Sequence, residues 1–284
     1  MKAQDASVGP TTYLSFEGGY LFSDGDHNVH FDPSTDKLGN LDPLRPGGDG
    51  GQFRFELGQV FDSGWDYKVA VGAILLGNDK SSSDYDFAPG PVGTSTAKED
   101  LTIGIVDLEL GFHPEADLGG LDLRVFGGVR AIHASNEATF QTSDNFDDKA
   151  GTYEDDVVAG GPRIGLDLTM PVSDQHQIAL VGSLSGSVLF GERSSDEKLQ
   201  NGIGTFENDF SESETVWNVD AMAGFQMAVG ERAALTIGYK GQQFGDLAAA
   251  RSDVEKTGDY DRNGSKDVLV HGPFAKLTVA IPPH

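Results

Sequence analysis

VVAGGPRIGLDLTM (157–170) and QIALVGSLSGSVLFGER (177–193), joined only by PVSDQH (171–176), decide the fold. In the first segment Val158, Gly160, Pro162, Ile164, Leu166, Leu168 and Met170 fall on one side. Ala159, Gly161, Arg163, Gly165, Asp167 and Thr169 fall on the other. The second segment repeats the pattern, with Ile178, Leu180, Leu184, Val188 and Phe190 against Ala179, Ser183, Ser185 and Ser187. An extended chain turns successive side chains to opposite faces, so the alternation predicts a long antiparallel hairpin with one oily and one small, polar face. Strands of soluble proteins average about five or six residues. These are more than twice as long, with an arginine and an aspartate on the inner face. Long amphipathic strands joined by short turns are how a closed barrel crosses a membrane.

Outward from this hairpin the same alternation predicts about ten strands, over 11–22, 52–61, 65–77, 101–113, 121–135, 157–170, 177–191, 215–229, 233–244 and 268–281. They form one all-β domain, 1–284: an antiparallel transmembrane barrel with five long outer loops and short periplasmic turns. Long links follow the odd-numbered strands and short links the even-numbered ones. In the fourth strand Leu101, Ile103 and Ile105 share one parity, while Val106, Leu108, Leu110 and Phe112 share the other. Either a β-bulge slips the register and keeps Asp107 and Glu109 inward, or the first three residues form a dry local core without a bulge.

The chain has 284 residues, 45 acidic and 20 basic, for a net charge of −25. Nucleic-acid binding needs a basic footprint, so no nucleic-acid partner is expected. With no cysteine, disulfides, thiolate metal sites and cysteine nucleophiles are excluded. No stretch approaches the roughly 18 apolar residues of a transmembrane helix. Met1-Lys2 precedes Ala-Gln-Asp-Ala-Ser without an apolar signal region, so an exported protein is expected here with its signal peptide already removed. The expected loops, 24–50, 79–100, 137–156, 192–214 and 246–267, hold 31 acidic and 11 basic residues, or −20 of the −25.

The inner face collects Glu17, Glu56, Asp66, Asp107, Glu109, Asp122, Asp167 and Asp220 against Arg54, Lys68, Arg124, Arg130, Arg163, Lys240 and Lys276. Unpaired buried charge is costly, so these residues should pair into a network. Arg163 is expected to pair with Asp167 or Glu109. A ten-strand barrel is narrow, and long basic side chains can fill it. The expected function is therefore a structural or surface role with a filled lumen. The alternatives are a narrow porin-like channel for water, ions or small solutes, and an adhesion or assembly protein acting through acidic loops. Outer-membrane lipid, lipopolysaccharide, neighbouring copies and surface proteins are the candidate partners.

No enzyme is expected. His133 near Asp155 or Asp156 is a pairing that any strand end beside acidic residues produces, and His27 and His30 lack a ligand geometry. The sharpest short motif is DYDRNGSKD (259–267), where Asp259, Asp261, Asn263 and Asp267 surround Gly264 as in the first part of a calcium loop. Position twelve is Val270 rather than glutamate, and the same residues suit an Asx/Gly-rich turn. Ca2+ is thus the one candidate cofactor.

Several pieces resemble the major outer membrane proteins of Legionella type: Val106-Asp107-Leu108-Glu109, Gly127-Gly128-Val129-Arg130, Gly161-Pro162-Arg163-Ile164-Gly165-Leu166-Asp167, and Asn263-Gly264 through Asp267 to His271-Gly272-Pro273-Phe274. The resemblance covers roughly 98–281. It implies an abundant barrel of the bacterial outer membrane, porin-like or surface-associated, and no catalytic signature. Members of that family cross-link through cysteines, which this chain lacks. Its last strand also ends on Val-Ala-Ile-Pro-Pro-His without a terminal aromatic residue.

Overall fold

The computed structural model describes residues 11–24, 48–85, 93–114, 120–143, 148–173, 177–201, 204–249 and 265–282. Among them ten strands follow in order: β1 (Thr11–Asp24), β2 (Gly50–Val60), β3 (Trp65–Tyr85), β4 (Gly93–Phe112), β5 (Asp122–Ser143), β6 (Asp148–Ser173), β7 (Ile178–Asn201), β8 (Gly204–Ala228), β9 (Ala233–Ala249) and β10 (Ser265–Ile281). Each is antiparallel to its neighbours in sequence. β1 also pairs with β10, from Thr12↔Ile281 to Asp24↔Leu269, which closes the sheet into a barrel. Tight turns bound one end. Phe61 N–H donates to Trp65 O at 2.8 Å and Val229 N–H to Ala233 O at 2.7 Å, and Gly64 and Gly230 supply the positive φ these turns require. We call this the turn end and the opposite one the far end.

The alternation sorts the side chains. Phe16, Phe55, Val71, Leu110, Val129, Ile164, Leu184, Phe225 and Ile237 are exposed around the whole circumference, Ile164 at 70%. On β6 this apolar belt runs from Val158 to Met170. At ~3.3 Å per residue that is about 40 Å of strand, which a tilt near 40° shortens to about 30 Å, enough to cross a membrane.

One expectation fails and one open alternative is decided, each for a physical reason. First, much of 79–100, 137–156 and 192–214 is strand rather than loop: β3–β4 pair out to Tyr85↔Gly93, β5–β6 to Ser143↔Asp148, and β7–β8 to Asn201↔Gly204. These extensions lie beyond the belt, so their outer face is polar and leaves no period-two signal, while the backbone hydrogen bonds continue regardless. Second, β4 has no bulge at Ile105. Its pairing with β3 and β5 is unbroken from Phe112 to Leu101. Ile103, 0% exposed, and Ile105 lie inward with Asp107 and Glu109, because an apolar layer inside the barrel receives them.

A register irregularity does occur on β9. Lys266 and Val268 of β10 pair with Ala248 and Phe244, so extra β9 residues bulge between them. Asp246 sits in that bulge with φ of 61°.

Candidate functional site

The lumen is built in levels. At the turn end His113 lies 3.3 Å from Asp66 and 3.2 Å from Asp122. Arg124 forks onto Asp66 at 2.7 and 2.8 Å and reaches Asp167 at 2.8 Å and Glu109 at 3.1 Å. Two parallel N–H···O bonds make such a fork both strong and directional. The Phe126 ring stacks 4.8 Å from the Arg124 guanidinium. It fills the space over Gly165, where a Cβ would sit 2.4 Å from the ring. The hydrogen bonds that His113 donates to Asp122 and Asp66 raise its pKa from 6.5 to about 9.

The middle level centres on Asp107. Its carboxylate accepts from Arg54 at 2.7 Å, from Arg130 at 2.7 and 3.0 Å, and from Arg163 at 3.0 Å. Arg130 continues to Asp220 at 2.7 Å and to Asn218. Arg163 donates to Ser185 at 2.8 Å and lies 3.2 Å from Asp220 and 3.7 Å from Glu109. Lys68–Glu109, Arg54–Glu56 and Lys240–Glu17 pair at 2.9, 3.0 and 2.6 Å, and Lys276 joins Glu56. Register explains much of this: Asp107 stands opposite Arg130, while Glu17 stands between Arg54 and Lys276. A cavity of about 230 Å³ remains between the charges, lined toward the turn end by Leu168, Thr169, Gln226 and Thr278.

Above the ions the lumen is apolar. Leu21, Ile74, Ile103, Ile132, Val157, Leu189, Val216, Phe244, Val268 and Val270 form one cluster, drawn from nine of the ten strands and each at most 2% exposed. It sits at the level where the outer belt ends, beside His133 and His271. Beyond this septum a second polar cluster forms around Arg193, 1% exposed. Arg193 donates to Asp155 at 2.7 Å, to Glu214 at 3.1 Å, and to the carbonyls of Asp246 and Leu247 at 2.8 and 3.2 Å. Ser195 also donates to Asp155.

Each charged residue expected on the inner face is an ion-pair partner above, with Asp122 at the exposed rim. Arg163 uses Asp107 and Asp220 as its near partners; Asp167 goes to Arg124. Sequence reasoning missed the septum, the Arg193 cluster, Asn218 and the role of His113. Arg193, Asp155 and Glu214 carry a weak signal, since they keep the inward parity of their strands, but they fall in stretches expected to be loops. His133 and Asp156 are 3.6 Å apart and largely exposed, on the outside of the wall. Asp259, Asp261 and Asn263 lie outside the described residues, as do His27 and His30. Asp267 is exposed and accepts from Gln243 at 3.1 Å. Among the described residues no three His, Asp or Glu side chains are grouped to hold a metal ion.

A closed antiparallel barrel with a charged interior is now in place. A family model described as the Legionella pneumophila major outer membrane protein precursor matches residues 34–281. The chain belongs to this family. It is therefore a β-barrel of the bacterial outer membrane, its interior lined by a buried Arg/Lys–Asp/Glu network. No curated protein matches this family member. Among solved structures it resembles the outer membrane protease OmpT from Escherichia coli, at 13% identity and a TM-score of 0.55, covering 98% of this chain and 99% of that one. A major outer membrane protein from Thermus thermophilus aligns at 13% identity and a TM-score of 0.35, over 96% and 99% of the two chains. The OmpT likeness speaks for the fold alone.

Proposed function

We propose that this family member is a closed structural barrel that does not conduct, and that it works at the cell surface through its far end. The observation that carries this reading is the apolar septum. Ion paths need polar lining or wide water, whereas side chains here meet without solvent, directly above arginines already committed to carboxylates. The cavity beneath is then a blind vestibule. Short turns and both ends of the barrel at one rim favour placing that rim in the periplasm and the far end outside.

Lipid surrounds the belt, and lipopolysaccharide is the favoured neighbour beyond it. Asp100, Glu137, Glu154, Asp196 and Asp209 stand opposite one another in a single row across β4–β8. Such a row faces anionic sugar phosphates comfortably only with divalent cations between them. Calcium at Asp259, Asp261, Asn263 and Asp267 belongs to the same reading. The deciding experiment is conductance of the refolded protein in planar bilayers. Silence is expected. Stepwise openings would replace this reading with the narrow channel.

A further inference from the structure

The geometry points to a binding site for a small, multiply charged oxyanion of the phosphate class in the cavity beneath the septum. Each residue that lines this cavity lies on a described strand. The wall brings six cations, Arg54, Lys68, Arg130, Arg163, Lys240 and Lys276, against four acids, Glu17, Glu56, Asp167 and Asp220. It thus carries an excess of two positive charges. Asp107 and Glu109 balance that excess from behind the wall. Neither lines the cavity, and their side chains are 0% exposed, whereas those of Lys68, Lys240 and Lys276 are 13, 12 and 21% exposed. The layer is neutral in sum and positive toward the cavity.

Hydrogen bonding is as one-sided as charge. The acids of the wall are occupied. Asp220 accepts from Arg130 at 2.7 Å, from Gln242 at 3.0 Å, and from Ser185 and Asn218 at 3.2 Å. Asp167 accepts from Ser183 at 2.6 Å and from Arg124 at 2.8 Å. Glu56 takes Arg54 and Lys276, and Glu17 takes Gln52 and Lys240.

The donors are not. An ammonium carries three N–H groups, and among the described residues Lys68, Lys240 and Lys276 each pair with a single carboxylate. Arg163 Nε, buried in the same wall, has no hydrogen-bond partner; Glu109 Oε1 stands 3.7 Å away. A lumen filled for strength alone would match its buried donors to acceptors.

Surplus donors on several strands suit an occupant that accepts from many directions. Lysine meets phosphate as a compact point charge with rotatable donors, so β3, β9 and β10 can present it from different heights. A divalent oxyanion also matches the excess of two. The volume of about 230 Å³ leaves room for the ion and several waters. Solvent reaches the cavity, since Asp167 in its lining is 31% exposed. The site rests on this cavity and not on the septum above it, so bilayer recordings decide the closed-barrel reading without deciding this one.

The test uses the whole barrel refolded in a phosphorus-free detergent and titrated against inorganic phosphate by phosphorus NMR. A saturable shift is expected, reversed by sulfate and untouched by chloride at equal ionic strength. Acetylation of the wild-type barrel, read by peptide mass spectrometry, should slow at Lys68, Lys240 and Lys276 when phosphate is present, and stay unchanged at exposed Lys198. Lys240→Gln should weaken binding at least about tenfold, the loss of one charge-assisted hydrogen bond. Glu17→Gln should tighten it by releasing the same ammonium, and Lys198→Gln should leave it unchanged. Should Lys240→Gln fail to fold, the wild-type acetylation pattern still decides. No saturable shift, displacement by chloride, equal slowing at Lys198, or a Glu17→Gln barrel that binds no tighter would each overturn the site and leave the cavity to water.

Discussion

Asp107 on β4 takes a two-bond fork from Arg130 on β5, Nε to Oδ1 at 2.7 Å and Nη2 to Oδ2 at 3.0 Å, in a site that solvent barely reaches. The same carboxylate serves Arg54 and Arg163. One acid thus ties β2, β5 and β6 to β4 inside the membrane.

Asp107→Asn should therefore be more damaging than loss of any one arginine. It keeps the shape but leaves three guanidiniums short of their shared charge, at a cost of about 3–5 kcal/mol. Arg163→Ala should cost ~2–4 kcal/mol, because Asp107 and Asp220 retain other partners. Urea midpoints for refolding in micelles measure both. Wild-type stability of either variant would mean a solvated lumen.

The septum predicts a different cost. Ile103→Ala or Leu189→Ala should lose about 2–4 kcal/mol through the cavity left behind, with no gain of conductance, since neighbouring side chains still close the layer. The same refolding titrations, with bilayer recordings beside them, check both halves.

His113 predicts a pH dependence. Its folded pKa, about 9, is raised above the unfolded value near 6.5. The stabilisation is therefore complete below about pH 6.5 and fades as pH rises through about 9. Solvent screening at this partly exposed rim limits it to about 1 kcal/mol. His113→Gln should flatten that part of the stability–pH profile; an unchanged profile would assign the dependence to other groups.

The acid row predicts a stabilising change. Asp196 and Asp209 stand directly opposite each other on exposed strand faces. Asp209→Asn should raise the temperature at which the band shifts on a semi-native gel. That gain should shrink as salt is added, because exposed charges are screened within about 10 Å at 0.1 M ionic strength. A gain indifferent to salt would point to a cause other than repulsion.

Calcium should protect 246–267 from limited proteolysis relative to chelator, since binding only the folded state stabilises it. The protection should vanish in Asp261→Ala. Protection that survives the substitution would indicate diffuse screening, and cleavage indifferent to calcium would leave an ordinary turn.

The sequence by itself determined which way most side chains point. Period two is a local property of the extended chain, so Arg163 inward and Ile164 outward can be read from two neighbouring letters. It also determined the strand count, since each turn interrupts the alternation. It left Ile103 and Ile105 open between a bulge and a dry core, because an apolar residue inside a barrel and one facing lipid have the same composition. It failed on 137–156 and 192–214, because a wall wet on its outer face shows no oily stripe. Only the tertiary structure decided who pairs with whom. Arg163 shares its strand and its inward face with Asp167, yet its near partners are Asp107 and Asp220 from β4 and β8. Closure sets those distances across the lumen, and no local pattern encodes them. The same holds for Arg193, whose grip on the Asp246 and Leu247 carbonyls exists only because β9 crosses its path.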